Sequence, residues 1–179
     1  MSEEWVELFP SGIAVENSLG RPVLILKDQA GVDVLPVWMN PIDAGIALAD
    51  MTKGTGLTPH VVSNRILEAI GLCADSCSFV DLVGHHQYVQ ISFKPVEQKT
   101  ISTAPVALLG PMQLRLRADE AMSFCMTSKA RFFSTKSYMT RCRALDAELT
   151  QLGNGLVEGS PFGAISALEK GTKKPQYMM

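Results

Sequence analysis

The chain has no excess of positive charge, no long apolar run and few cysteines, and each shortage removes a class of protein. Sixteen Lys and Arg against eighteen Asp and Glu give a formal net charge of −2 over 179 residues. No overall positive field therefore draws in a polyanion, and any nucleic-acid surface has to be a local patch. No uninterrupted apolar stretch approaches the roughly 20 residues that span a bilayer. The most apolar segment, residues 42–51, is short and carries Asp43 and Asp50, which suits a buried helix. The opening residues MSEEW lack the basic and then apolar pattern of a secretory leader. The expectation is a cytoplasmic protein with no membrane segment. The four cysteines, Cys73, Cys77, Cys125 and Cys142, include no second Cys or His pair at zinc-finger distance, so reduced, buried thiols are expected.

What is present is a globular balance, with 46% hydrophobic and 19% charged residues, which argues against disorder. The length suits one sizeable core better than two. One domain is expected over residues 1–152, followed by a tail from residue 153 that is rich in glycine and poor in large apolar side chains.

Residues 21–27 (RPVLILK) and 32–38 (VDVLPVW) flank turn chemistry at Asp28-Gln29-Ala30-Gly31 and read as a hairpin. Pro36 cannot donate to a ladder, so its strand belongs at an edge or an irregularity. Asn40 then stands where a helix N-cap belongs, with Pro41 at the first helical position and Asp43 near the positive end of the dipole. A second helix starts at Thr58-Pro59, carries Val62, Ile66, Leu67 and Ile70 at helical spacing, and stops at Gly71. Residues 78–83 and 87–93 alternate around Gly84-His85-His86 as another hairpin. Residues 94–111 read mostly as loop. Residues 112–116 (MQLRL) form a strand that runs straight into a helix with acidic residues in its first turn. A last helix, about residues 135–152, places Tyr138, Met139, Cys142, Leu145 and Leu149 on one face. The order is β-β-α-α-β-β-β-α-α. This predicts an α+β fold with a mixed, largely antiparallel, curved sheet and flanking helices. The units 32–53 and 112–129 hint at a weak internal duplication.

Three segments resemble the bifunctional nuclease domain family. Leu35-Pro36-Val37-Trp38, with Pro41-Ile42-Asp43-Ala44 and Ile46-Ala47-Leu48-Ala49 after it, is similar to the family's LPIWI strand and EA-x-x-I helix. Thr58-Pro59-His60, leading to Ile66-Leu67 and Ile70-Gly71, is similar to the RP-x-TH helix, two residues shorter. Leu116-Arg117-Ala118-Asp119-Glu120-Ala121-Met122 looks like the D-x-R-P-S-D-A-I element. The resemblance spans residues 21–139 in the family's order and implies a mixed sheet with flanking helices and nuclease activity on RNA or DNA. It makes Asp119, Glu120, His60 and Asp43 the catalytic candidates. Arg117, with Arg115 beside it, becomes the phosphate-holding candidate. Asp119 and Glu120 are the candidates for a Mg²⁺ or Mn²⁺ ion. The chain departs from the family in having Asp43 for Glu, Thr58 for Arg and Arg115 for an acidic residue, and in holding Ala118-Asp119-Glu120 in place of Pro-Ser-Asp.

Each candidate has a plainer reading. Asp119 and Glu120 satisfy a helix N-terminus while Arg117 pairs with one of them. His60 is a helix-start side chain, and His85 and His86 are solvated turn residues that point opposite ways. Lys129, Arg131, Lys136, Arg141 and Arg143, interleaved with Phe132, Phe133 and Tyr138, suit either single-stranded nucleic acid or a solvated helix face. Besides a nuclease, the sequence admits a non-catalytic module that binds a ligand or partner, and a structural subunit. A homodimer or higher homo-oligomer is the expected assembly.

Overall fold

A computed structural model describes residues 4–15, 21–52, 58–96 and 112–153, the last eight for backbone only. These residues form seven strands and four helices. In chain order they are β1 (Trp5–Val15), β2 (Pro22–Lys27), β3 (Val34–Trp38), α1 (Pro41–Met51), α2 (Pro59–Ala69), β4 (Leu72–Val83), β5 (His86–Pro95), β6 (Met112–Arg117), α3 (Ala118–Thr127), β7 (Arg131–Thr135) and α4 (Lys136–Gly153). The strands make one mixed sheet in the order β3-β2-β1-β7-β4-β5-β6, antiparallel throughout except for the parallel β4–β7 pair. The expected α+β class and flanking helices are present. The glycine-rich tail and most of the expected 94–111 loop lie outside the described residues.

β1 and β7 extend the expected order. β1 alternates Val6 and Leu8 inward against Trp5, Glu7 and Phe9 outward, but Pro10 and Gly12 break the pattern. The break has a use. Residues 5–8 pair with β7 and residues 9–15 with β2, and a bulge between Pro10 and Gly12 marks the change of partner. Such bulges bend a strand and increase its twist, which curls the sheet. β7 is only five residues long and lies directly between two helices, so its period-2 signal is brief.

Pair registers separate the two faces of the sheet. Leu8, Phe132, Cys77, Ile91 and Leu114 form one row, and Glu7, Phe133, Ser78, Gln90 and Arg115 form the row on the opposite face. The first row, buried except at Leu114, meets Ala121, Met122 and Cys125 of α3 and Tyr138, Met139 and Cys142 of α4 in the core. Burying a side chain the size of Leu24, Leu26, Leu35 or Ile91 contributes about 1.5–3 kcal/mol. The phenol of Tyr138 packs 5.7 Å from the Phe79 ring, and burial drives its ionisation upward. Cys77 lies beside Cys125, and that contact together with burial raises its thiol, so both behave as inert core groups. Cys73 is only half-buried, a correction to the expectation of four buried thiols.

Gly31 (φ +72°) closes the β2–β3 turn, where Asp28 Oδ1 accepts from the Asp33 amide at 2.9 Å. α2 is less buried than its apolar spacing suggests. It has no buried residue, and Val62, Ile66 and Ile70 are all more than half exposed. Among the described residues, no helix is long and apolar enough to cross a membrane.

Candidate functional site

The candidate site lies where α1, α2 and α3 meet. α1 and α3 run side by side in the same direction, joined at three levels. The Asn40 side-chain amide donates to the Asp119 carbonyl at 3.4 Å, Ser123 Oγ donates to Asp43 Oδ1 at 2.9 Å, and Thr127 Oγ1 donates to Asp50 Oδ2. Ala44 and Ala47 are buried on α1, and Ala118 and Ala121 on α3, so small side chains allow the close approach.

The expected cap is in place. Asn40 Oδ1 accepts from the Asp43 amide at 2.9 Å, Pro41 follows, and the Asn40 amide also donates to the Asp43 carboxylate. α3 begins differently. Its cap position, Arg117, makes no capping bond, and the first turn relies on Asp119 and Glu120. Arg117 holds Asp119 with two bonds, Nε to Oδ1 at 3.0 Å and Nη2 to Oδ2 at 2.5 Å. That bidentate contact keeps the guanidinium firmly protonated, with the Glu120 charge adding a smaller push in the same direction.

His60 arrives from the first turn of α2. Its Nε2 is 2.9 Å from Ser123 Oγ, and the ring of Phe124 meets it edge-on at 5.9 Å. Ser123 is fully buried and has one proton, which it gives to Asp43. With Asp43 ionised, the Nε2 of His60 therefore carries the proton in that bond, and the lone pair of a neutral ring sits on Nδ1. Asn40, Asp43, Ser123 and His60 form one hydrogen-bonded line, and the Arg117–Asp119 pair connects to it through the backbone carbonyl of Asp119.

Four of the six candidates named from sequence, Asp43, His60, Arg117 and Asp119, thus stand on one connected line. Glu120 is exposed beside it, and Arg115 turns away to pair with Asp81 at 2.8 Å and to cover the Tyr88 ring. Sequence reasoning did not single out Ser123, which joins the imidazole to the carboxylate. A serine in the middle of an apolar helix was the only signal for it.

The carboxylates do not fit a divalent ion as they stand. Both oxygens of Asp119 are on Arg117, and among the described residues no three His, Cys, Asp or Glu side chains gather as a cation site. The other candidates fall to local partners. His85 and His86 are exposed at the β4–β5 turn. Arg131 pairs with Asp75 and covers the Phe133 ring, Lys136 pairs with Glu4, Arg143 pairs with Asp33, and Arg141 covers Tyr138. Those cations are spread among separate contacts.

No family model matches this chain, and no curated protein matches it either.

Proposed function

We propose that the chain is a nuclease that hydrolyses phosphodiester bonds in RNA or DNA, with His60 as general base and Arg117 holding the phosphate. One observation carries this reading. Residues from three distant segments, each singled out by the family resemblance, come together: Asp43 and His60 on the Ser123 hydroxyl, and the Arg117–Asp119 pair beside them through the Asp119 carbonyl.

Asp43, acting through Ser123, orients the His60 ring and leaves Nδ1 to accept a proton from an attacking water or ribose hydroxyl as its oxygen bonds to phosphorus; the P–O bond to the leaving oxygen breaks, and that oxygen takes a proton from solvent. The imidazolium that forms faces the Asp43 charge through the same hydroxyl. Arg117 commits two of its five N–H donors to Asp119 and keeps three for the non-bridging oxygens of a phosphate. Ser123, being fully buried, is a positioning residue and no nucleophile.

A second reading draws on the same Arg117–Asp119 pair. The three N–H donors that Arg117 keeps free of Asp119 equally suit a non-catalytic module that holds a small anion or a partner's acidic group, with no role for His60. The test uses end-labelled RNA and DNA oligonucleotides, with EDTA and separately with Mg²⁺ or Mn²⁺. Cleavage is expected in EDTA, falling by about 10²–10⁴ in His60→Ala and severely in Arg117→Ala. Ser123→Ala should lower turnover while leaving substrate affinity in place. Cleavage that needs added metal removes the metal-free version. If neither polymer is cut in any condition, or the variants cut as well as the parent, the nuclease reading is wrong and the binding module stands.

A further inference from the structure

The sheet has two edges, and only one of them is protected. At β3, Leu35, Pro36 and Val37 are buried, Pro36 offers no N–H, and its carbonyl accepts from the buried Gln87 side chain at 2.9 Å. α4 packs across the same strand. At β6, none of the six residues is buried, the ladder to β5 runs without a bulge, and Met112 and Leu114 are 43% and 41% exposed. Among the described residues nothing pairs with its outer side. An unbulged, proline-free edge with apolar side chains is a template for another strand, and natural proteins block such edges unless they use them.

We infer that β6 pairs antiparallel with β6 of a second copy about a two-fold axis at Leu114, so that two seven-stranded sheets become one of fourteen. The strand's own pattern selects this occupant and this register. Residues directly opposite each other share a face, so the axis has to fall on a residue. Centring on Leu114 places Met112 opposite Leu116 of the second copy and Gln113 opposite Arg115, which joins two apolar stripes and opposes no like charges. Centring on Arg115 sets two guanidinium groups against each other. Centring on Gln113 pairs only residues 112–114 within β6, whereas centring on Leu114 pairs residues 112–116. The pairing goes beyond the nuclease reading: it uses none of His60, Ser123 or Asp43, and Arg117, the last residue of the same strand, lies just outside the paired residues 112–116.

The test is register-specific. In a Cys73→Ser background, which removes the one half-buried native thiol, Leu114→Cys should form an intermolecular disulfide on mild oxidation. Directly opposed residues stand about 4.5–5.5 Å apart at Cα, within disulfide range. Gln113→Cys, which faces Arg115 across the axis, should not cross-link. Light scattering of the unmodified chain should give twice the chain mass, and Leu114→Lys should weaken the dimer by at least roughly tenfold through like charges across the axis. Circular dichroism and a thermal melt check that this variant still folds. A monomer at every concentration overturns the inference, as does a dimer indifferent to Leu114→Lys, or equal cross-linking at positions 113 and 114.

Discussion

β3 and β6 are both edge strands, and each runs directly into a helix that packs beside the other's. The β3–α1 unit is built from a buried strand and a helix with an asparagine cap and Pro41 behind it. The β6–α3 unit is built from an uncovered strand and a helix whose cap position holds Arg117, with no capping bond. The first satisfies its backbone groups locally and acts as scaffold. The second leaves a guanidinium and a strand edge available to something outside the chain. Placing the better-satisfied unit against the less-satisfied one lets Asn40 serve both, capping α1 and reaching the Asp119 carbonyl of α3.

The contrast predicts unequal costs for matched changes. Leu35→Ala in the buried edge should destabilise by about 2–5 kcal/mol. Leu114→Ala in the exposed edge, measured at a concentration where the chain is monomeric, should cost under about 1 kcal/mol. Urea unfolding at one fixed protein concentration measures both, and equal losses would break the distinction between the edges. At the caps the difference is smaller and splits between stability and activity. Asn40→Ala should cost about 1–2 kcal/mol as a lost N-cap. Arg117→Ala, which removes a half-buried ion pair, should cost less stability than the lost cap while abolishing cleavage. A cap loss at Arg117 as large as that at Asn40 would show the two units to be alike.

The smallest effect concerns Asp75, which anchors the outward side of β4 away from both edges. Its carboxyl is held below the usual range chiefly by its bond to Lys94 at 2.7 Å, with Arg131 adding to the effect. A carboxyl that is more acidic folded than unfolded contributes stability above its unfolded pKa, about 3.9, and loses it as pH falls through the lower folded value. Asp75→Asn should therefore remove well under about 1 kcal/mol at neutral pH and flatten that part of the acid limb. Urea midpoints compared at neutral and acid pH would show it.

Much of this was legible along the chain because the signals were local. Asn40-Pro41, Thr58-Pro59, the 28–31 turn and the alternation of 87–93 each act within a few residues, and the structure forms an element at each. β1 was hidden because its bulge interrupts the period at the very place where it changes partner. β7 was hidden because Arg131–Thr135 is too brief to show a pattern between helices. Apolar spacing in α2 misled in the opposite direction, since periodicity reports that a face is apolar and not whether anything covers it. At the site, the candidates Asp43, His60, Arg117 and Asp119 were visible as motif residues. What joins them, Ser123 and the second hydrogen bond of Asn40, depends on contacts across 63 and 79 positions that no local pattern carries.

The place of β7 in the sheet has a consequence for how the molecule is made. It stitches β1 to β4, yet it is the last of the described strands to leave the ribosome. β1–β3 and β4–β6 can each zip into a three-stranded sheet as they emerge, but until residue 135 is synthesised no strand pairing joins the two halves, which touch only through helices such as α1 and α3, and both inner borders stay open. Translation that pauses before Arg131 would leave those half-sheets exposed to misassembly, making the nascent chain a natural client for a chaperone.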